Sequence, residues 1–166
     1  PLKPFTEYCT KAGKGIFVLL RTSNPGMVDI EQKELKDGGR VLDQVGNELE
    51  RISQEMKATY PDQTCSPVGA VVGCTEESDA KALRDAYKDI YFLIPGYGAQ
   101  GGDAKICGTL MKEAGGTVNS SRGILCAWKK DADCTAKVEA GSVTMDDIVE
   151  AAAKAAIASK EDLLRF

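Results

Sequence analysis

No histidine occurs among the 166 residues. That absence removes Ser-His-Asp and Cys-His nucleophilic mechanisms, and with them the commonest protein ligand of transition metals. Any acid–base chemistry must use Lys, Asp, Glu, Tyr or Cys. None of the six cysteines (Cys9, Cys65, Cys74, Cys107, Cys126, Cys134) stands in a CxxC pair, which leaves zinc and thioredoxin-type sites without support. Cys65 and Cys74 flank a predicted strand and are held too far apart to bridge. The set reads as reduced thiols in a cytoplasmic protein. Positive charge is not in excess, with a net charge of −4, so there is no basic footprint for nucleic acid. No apolar run approaches the roughly 20 residues of a membrane span, and no signal-peptide pattern opens the chain. Trp128 is the only tryptophan and is expected to pack. The first residue is Pro1 rather than methionine, and the chain reads as the middle of a longer polypeptide.

The composition that remains, 43% hydrophobic and 28% charged, is that of one ordinary globular domain with a real core. Residues 4–9 suit one or two helical turns. Gly15 to Leu20, GIFVLL, is an apolar run of strand length, of the kind found in parallel strands covered on both faces. It ends in the polar loop Arg21-Thr22-Ser23-Asn24-Pro25-Gly26, whose hydroxyl pair serves turn chemistry or touches a ligand. Val41, Val45, Leu49, Ile52 and Met56 recur at helical spacing and predict an amphipathic helix closed by Tyr60-Pro61. Val68 to Val72 is a second apolar strand, and Thr75 is placed to cap a helix that runs to about Lys88.

The third strand, Tyr91 to Ile94, breaks at Pro95-Gly96 into a loop carrying Gly96, Gly98, Gly101 and Gly102, with Asp103 as the N-cap of the next helix. A strand, a glycine-rich turn and a helix N-terminus form an anion cradle or a flexible connection. The spacing is neither a Walker loop nor GxGxxG. Gln100 adds a long amide that can donate to an oxyanion or accept from a base edge. Helix 104–114 stops at Gly115-Gly116, and the brief strand Thr117 to Asn119 runs into Ser120-Ser121-Arg122-Gly123. Residues 131–141 read as a polar connection. Thr144 caps a last alanine-rich helix, and residues 159–166 read as a charged tail or linker beyond a domain of residues 1–158.

The sequence therefore repeats strand, loop and helix four times, with each polar motif on the carboxyl side of a strand. That is the geometry of a (β/α) barrel, in which eight units and about 250 residues close the ring. Four units make half a barrel or a small open α/β sheet.

RTSNPG behind an apolar strand, then FLIPGYGAQGGD, then NSSRGI, in that order over nearly the whole chain, resemble the second half of orotidine 5′-phosphate decarboxylases, in particular the subgroup called type 2. The resemblance implies a (β/α)8 TIM barrel, this chain supplying about the last four βα units. It also implies conversion of orotidine monophosphate to UMP and CO2 in pyrimidine synthesis, without metal or organic cofactor, in a homodimer with no nucleic-acid or membrane partner. On this pattern Ser23 would hydrogen-bond the pyrimidine, and Gln100 would reach the phosphate and the ring. Arg122, with the backbone around Ser121 and Gly123, would grip the phosphate. Pro95 and Gly96 would wall the pocket near the carboxylate. The family's Lys-Asp-Lys-Asp network, around a motif like DxKxxD, has no counterpart here. Lys36-Asp37, Lys88-Asp89 and Lys130-Asp131 read as solvated surface. No catalytic residue is therefore expected on this chain, and the N-terminal half of the same enzyme is the expected partner. A non-catalytic module for a phosphorylated ligand, or another phosphate-binding barrel lyase or aldolase, would carry the same glycine and arginine signals.

Overall fold

The computed structural model describes residues 2–98 and 100–166. Helix α1 (Lys3–Ala12) leads into strand β1 (Ile16–Arg21), which is followed by α2 (Val41–Lys57), β2 (Val68–Val72), α3 (Glu77–Ala86), β3 (Phe92–Pro95), α4 (Ala104–Leu110) and β4 (Gly116–Asn119). Three further helices, α5 (Ser121–Leu125), α6 (Ala132–Glu139) and α7 (Met145–Leu163), complete the chain. The strands form one parallel sheet in the order β1-β2-β3-β4. Each crossover contains a helix, as parallel neighbours require.

Alternation decides which side of the sheet is covered. Val18, Ala70, Phe92 and Gly116 lie in one cross-strand row, and Leu19, Val71, Leu93 and Thr117 in the next. In the first row Ala70 and Phe92 are fully buried beneath the helices, together with Leu49 of α2, Leu83 of α3 and Leu110 of α4. Among the described residues the opposite face has no helix on it: Leu19 is 62% exposed and Phe17 51%. The apolar run of β1 suggested a strand covered on both faces. Within this chain it is covered on one, with Phe17 lying across Gly69 and its ring 6.3 Å from that of Tyr91.

α2 follows the predicted stripe with a small rotation, burying Leu42, Gly46, Leu49, Ile52 and Met56. Gly46 belongs to that face because Tyr87 packs on it: a Cβ at Gly46 would stand 2.2 Å from the Tyr87 hydroxyl oxygen. Arg84 of α3 is buried and donates to the carbonyls of Tyr87, Ile90, Leu110 and Gly115. Its guanidinium lies 3.7 Å from the centre of the Phe92 ring. One arginine thus gathers four carbonyls ahead of β3 and β4, and desolvation lowers its own pKa to about 10.

The expected caps Asp103 and Thr144 are both present, each accepting from a backbone N–H of its helix. Two expectations are corrected here. Thr75 does not cap α3, which starts at Glu77; the Thr75 hydroxyl accepts from Arg21 instead. Residues 131–141 are not a bare connection but hold α6, capped by Asp131. α7 continues to Leu163, which packs against the core. All six cysteines are free.

Candidate active site at the carboxyl ends of the strands

β1, β3 and β4 deliver the site, and close backbone approach makes it possible. Ser23, just beyond β1, is wedged between two glycines. A Cβ at Gly73 would stand 2.7 Å from Ser23 Cβ and 2.8 Å from its backbone N, and one at Gly96 would stand 3.0 Å from Ser23 Cβ. Gly96 also has φ +100°, a conformation that side chains resist. So packed, the Ser23 hydroxyl donates to Gln100 Oε1 at 2.8 Å. The neighbouring Thr22 does something different. Its backbone N–H and its hydroxyl both donate to the Glu31 carboxylate, each at 2.8 Å. Of the hydroxyl pair, Thr22 shapes the turn and Ser23 faces the glycine loop.

A small hollow of about 120 Å³ opens between the ends of β3 and β4, lined by Pro95, Gly96, Tyr97, Gln100, Asn119, Ser120, Ser121 and Arg122. Five of the seven residues singled out in the sequence meet there: Pro95, Gly96, Gln100, Ser121 and Arg122. Ser23 joins them through its bond to Gln100. Gly123 stands outside the lining and serves Ser120, whose hydroxyl oxygen lies 2.5 Å from where a Gly123 Cβ would be. The Ser121 hydroxyl donates to Asn119 Oδ1 at 2.9 Å. Arg122 is exposed and forms no ion pair among the described residues, so its fork of donors is free for an anion.

Tyr97, Asn119 and Ser120 were not anticipated. Tyr97 donates its hydroxyl to Asp162 at 2.8 Å. Partial burial, and then that carboxylate, push its pKa up to about 12. Behind the loop, the Cys74 thiol donates to the Pro95 carbonyl at 3.3 Å, while Cys107 is pushed up by its bond with Cys74 and by burial. Among the described residues no Lys, Asp or Glu lines the hollow. It offers hydrogen-bond donors and a cation.

Beneath the β1 loop lies an ion network. Arg21 is buried and donates to the Gly73 carbonyl at 3.2 Å and to Thr75 at 2.7 Å, with its Nε 3.4 Å from Asp79. Asp79 also accepts from Arg40 and Gln32, each at 3.1 Å. The network ties the loop after β1 to the start of α3.

A four-stranded parallel sheet with one bare face, and a polar hollow at its carboxyl end, is half of a (β/α)8 barrel. No protein-family model matches the chain. It is 47% identical over 131 residues to the orotidine 5′-phosphate decarboxylase of Clostridium acetobutylicum, covering 78% of this chain and 45% of that one. The protein of the same name from Clostridium tetani is 47% identical over 133 residues, with 80% and 45% covered. Among solved structures, Leishmania donovani UMP synthase aligns at TM-score 0.56 and 27% identity over 91% of this chain and 30% of that one. Leishmania donovani OMP decarboxylase, at 24% identity, shares the fold at TM-score 0.53, with 91% and 52% covered. The chain belongs to the orotidine 5′-phosphate decarboxylase family, and its four βα units match about half of the family's barrel. It spans about 45% of the length of these curated relatives. No described helix is long and apolar enough to cross a membrane.

Proposed function

We propose that this chain is the phosphate- and pyrimidine-holding half of an orotidine 5′-phosphate decarboxylase. The observation that carries the reading is the convergence of Gln100, Ser121 and the unpaired Arg122 on one hollow, with Ser23 fastened to Gln100 at its rim. Arg122 takes the phosphate, for which a planar fork of donors is suited. Ser23 and Gln100 take the pyrimidine edge, the Gln100 Nε2 hydrogens donating and the Ser23 oxygen, whose proton is given to Gln100, accepting. In the reaction the bond from the ring carbon to its carboxylate breaks, CO2 leaves, and the electron pair left on carbon is taken by a proton. That proton comes from the lysine–aspartate network of the other half. The bare sheet face with Phe17 and Leu19 is the inner wall that the first four units of the barrel cover.

The phosphate is remote from the reacting carbon, so gripping it uses binding energy to hold the ring where cleavage is favoured. A charge-assisted hydrogen bond contributes about 1.5–3 kcal/mol, or roughly one to two decades in rate when fully expressed in the transition state. The absence of Lys, Asp and Glu from the hollow favours a second reading, a module that holds a phosphorylated ligand and does no chemistry. Mixing the chain with a polypeptide for the first half of the barrel separates the two. Decarboxylation that appears only in the mixture supports the enzyme. UMP binding without activity in the mixture supports the module. Decarboxylation by the 166-residue chain unaided would overturn the assignment of proton delivery to the other half.

A further inference from the structure

The glycine loop is held more tightly than its composition suggests, and part of the hold comes from the far end of the chain. Gly96, Gly98 and Gly101 all have positive φ, so the loop has much backbone freedom to lose on ordering. Four internal hydrogen bonds fold it on itself: Gly98 to Gly102, Gln100 to Gly96, Gly101 to Gly98 and Gly102 to Gly96. Among the described residues, side-chain hydrogen bonds fasten it from outside at two points, Ser23 to Gln100 and Tyr97 to Asp162. The second crosses 65 positions of sequence to the last turn of α7. That turn is itself anchored. Leu163 packs on the core, and Phe166 lies so close to α4 that a Cβ at Gly108 would stand 2.8 Å from Phe166 Cβ. The Tyr97 phenol remains protonated at neutral pH and therefore remains a donor.

We propose that Asp162 is a positioning residue, which acts through the Tyr97 hydroxyl to hold residues 96–98 and 100–102 in the conformation that lines the hollow. The helix end is then part of the frame of the site, and the ligand felt there is the phosphorylated nucleotide of the proposed function. Only that last clause rests on the proposed function.

Amide hydrogen exchange of Gly98 and of residues 100–102 tests the inference in the chain itself, with β2 amides as internal control. Asp162→Ala and Tyr97→Phe should speed loop exchange about tenfold or more, as loss of a hydrogen bond to a charged acceptor implies, and leave β2 unchanged. Asp162→Asn should exchange nearly as slowly as the parent, because an amide oxygen still accepts. Arg165→Ala, which removes only the exposed partner 3.8 Å from Asp162, should also match the parent. Tyr97→Phe removes one oxygen and keeps the ring, so it reads the bond even where Asp162→Ala unfolds. Unchanged loop exchange in Tyr97→Phe, or an Asp162→Asn loop as loose as that of Asp162→Ala, overturns the proposal. In the complete enzyme the dissociation constant for UMP should rise with Asp162→Ala and recover with Asp162→Asn; a constant that does not move with Asp162→Ala overturns the role at the site. A parent that binds no UMP, yet shows the predicted exchange pattern, refutes the proposed function and leaves the tether standing.

Discussion

The Ser23 hydroxyl and the Gln100 amide meet at 2.8 Å across 77 positions of sequence, joining the end of β1 to the loop after β3. The contact assigns the amide's two faces. Oε1 is occupied by Ser23, and the Nε2 hydrogens are left to donate, which suits a phosphate or a pyrimidine carbonyl better than an N–H edge. On the proposed function Ser23 would do two things at once, orienting the Gln100 side chain with its proton and offering its oxygen lone pairs to the base.

Removing that hydroxyl should cost as much as a strong single hydrogen bond in a ligand complex. In the complete enzyme, Ser23→Ala should weaken UMP about tenfold, near the upper end for a single neutral bond. Gln100→Ala should do at least as much. Calorimetry on the two single variants and the double variant closes a cycle. The double variant should fall short of the sum by 0.5 kcal/mol or more, about the coupling expected of touching residues. Additive losses would show that Ser23 does not orient Gln100.

Arg122→Ala separates the phosphate from the base. The loss of charge-assisted bonds should weaken UMP by roughly one to two decades and leave uridine, which has no phosphate, nearly unchanged. The comparison is between two ligands on one variant, so a general loss of folding cannot imitate it. Equal weakening of both would mean that Arg122 supports the fold only.

Much of this site was legible in the sequence because its signals are local. Apolar runs of strand length, glycines and hydroxyls at their carboxyl ends, and the caps Asp103 and Thr144 each depend on a few adjacent residues. What was not legible depends on neighbours distant in the chain. Arg84 looks like an ordinary helix-surface charge until α4 and the starts of β3 and β4 bring four carbonyls around it. Tyr97 is one aromatic in a loop until α7 brings Asp162 to it. Thr75 has the composition of a cap, and the buried Arg21 outcompetes that local role with a bond of 2.7 Å. α6 was hidden by its polarity: among its residues only Cys134 is buried, so the sequence shows no apolar stripe.

The Arg21–Asp79 pair should prove expensive to break and cheap to mimic poorly. Arg21 is 1% exposed, and its Nη2 has no hydrogen-bond partner among the described residues; its Nε stands near Asp79 without hydrogen-bond alignment. Asp79→Ala strips the buried guanidinium of its counter-charge, an uncompensated buried charge worth about 3–5 kcal/mol. Urea denaturation should show that loss. Arg21→Met, which removes the charge and keeps much of the volume, should cost clearly less than Asp79→Ala. The reverse order would mean that Arg21 contributes chiefly through its bonds to the Gly73 carbonyl and Thr75 rather than through Asp79.

Gly46→Ala tests the packing of α2 against Tyr87. The added methyl would stand 2.2 Å from the Tyr87 oxygen and 2.3 Å from the ring carbon that bears it. Helix propensity alone favours alanine by about 1 kcal/mol, but overpacking in a core costs typically about 1–3 kcal/mol, and here a ring must move. The variant should melt lower than the parent. Tyr87→Phe in the same background should give little relief, since ring carbons remain in the way, whereas Tyr87→Leu should restore part of the loss.

Acid sensitivity should trace in part to Asp89. Its carboxylate accepts from Lys57 and from Gln54, and these bonds, that of Lys57 foremost, hold its pKa below the ordinary value of 3.8. A carboxyl whose folded pKa is lowered stabilises the fold fully above its unfolded pKa and loses that contribution as pH falls through the folded value. Asp89→Asn keeps an acceptor and discards the charge. Its melting temperature should therefore lie below the parent's near pH 6, and the gap should narrow as pH is lowered below the ordinary value of 3.8 and the parent carboxylate takes up its proton. A gap that stays constant with pH would show that hydrogen bonding alone, without the charge on Asp89, is what Lys57 and Gln54 supply. A gap that widens on acidification would mean the sign is reversed and that the folded state binds the proton more tightly than the unfolded one.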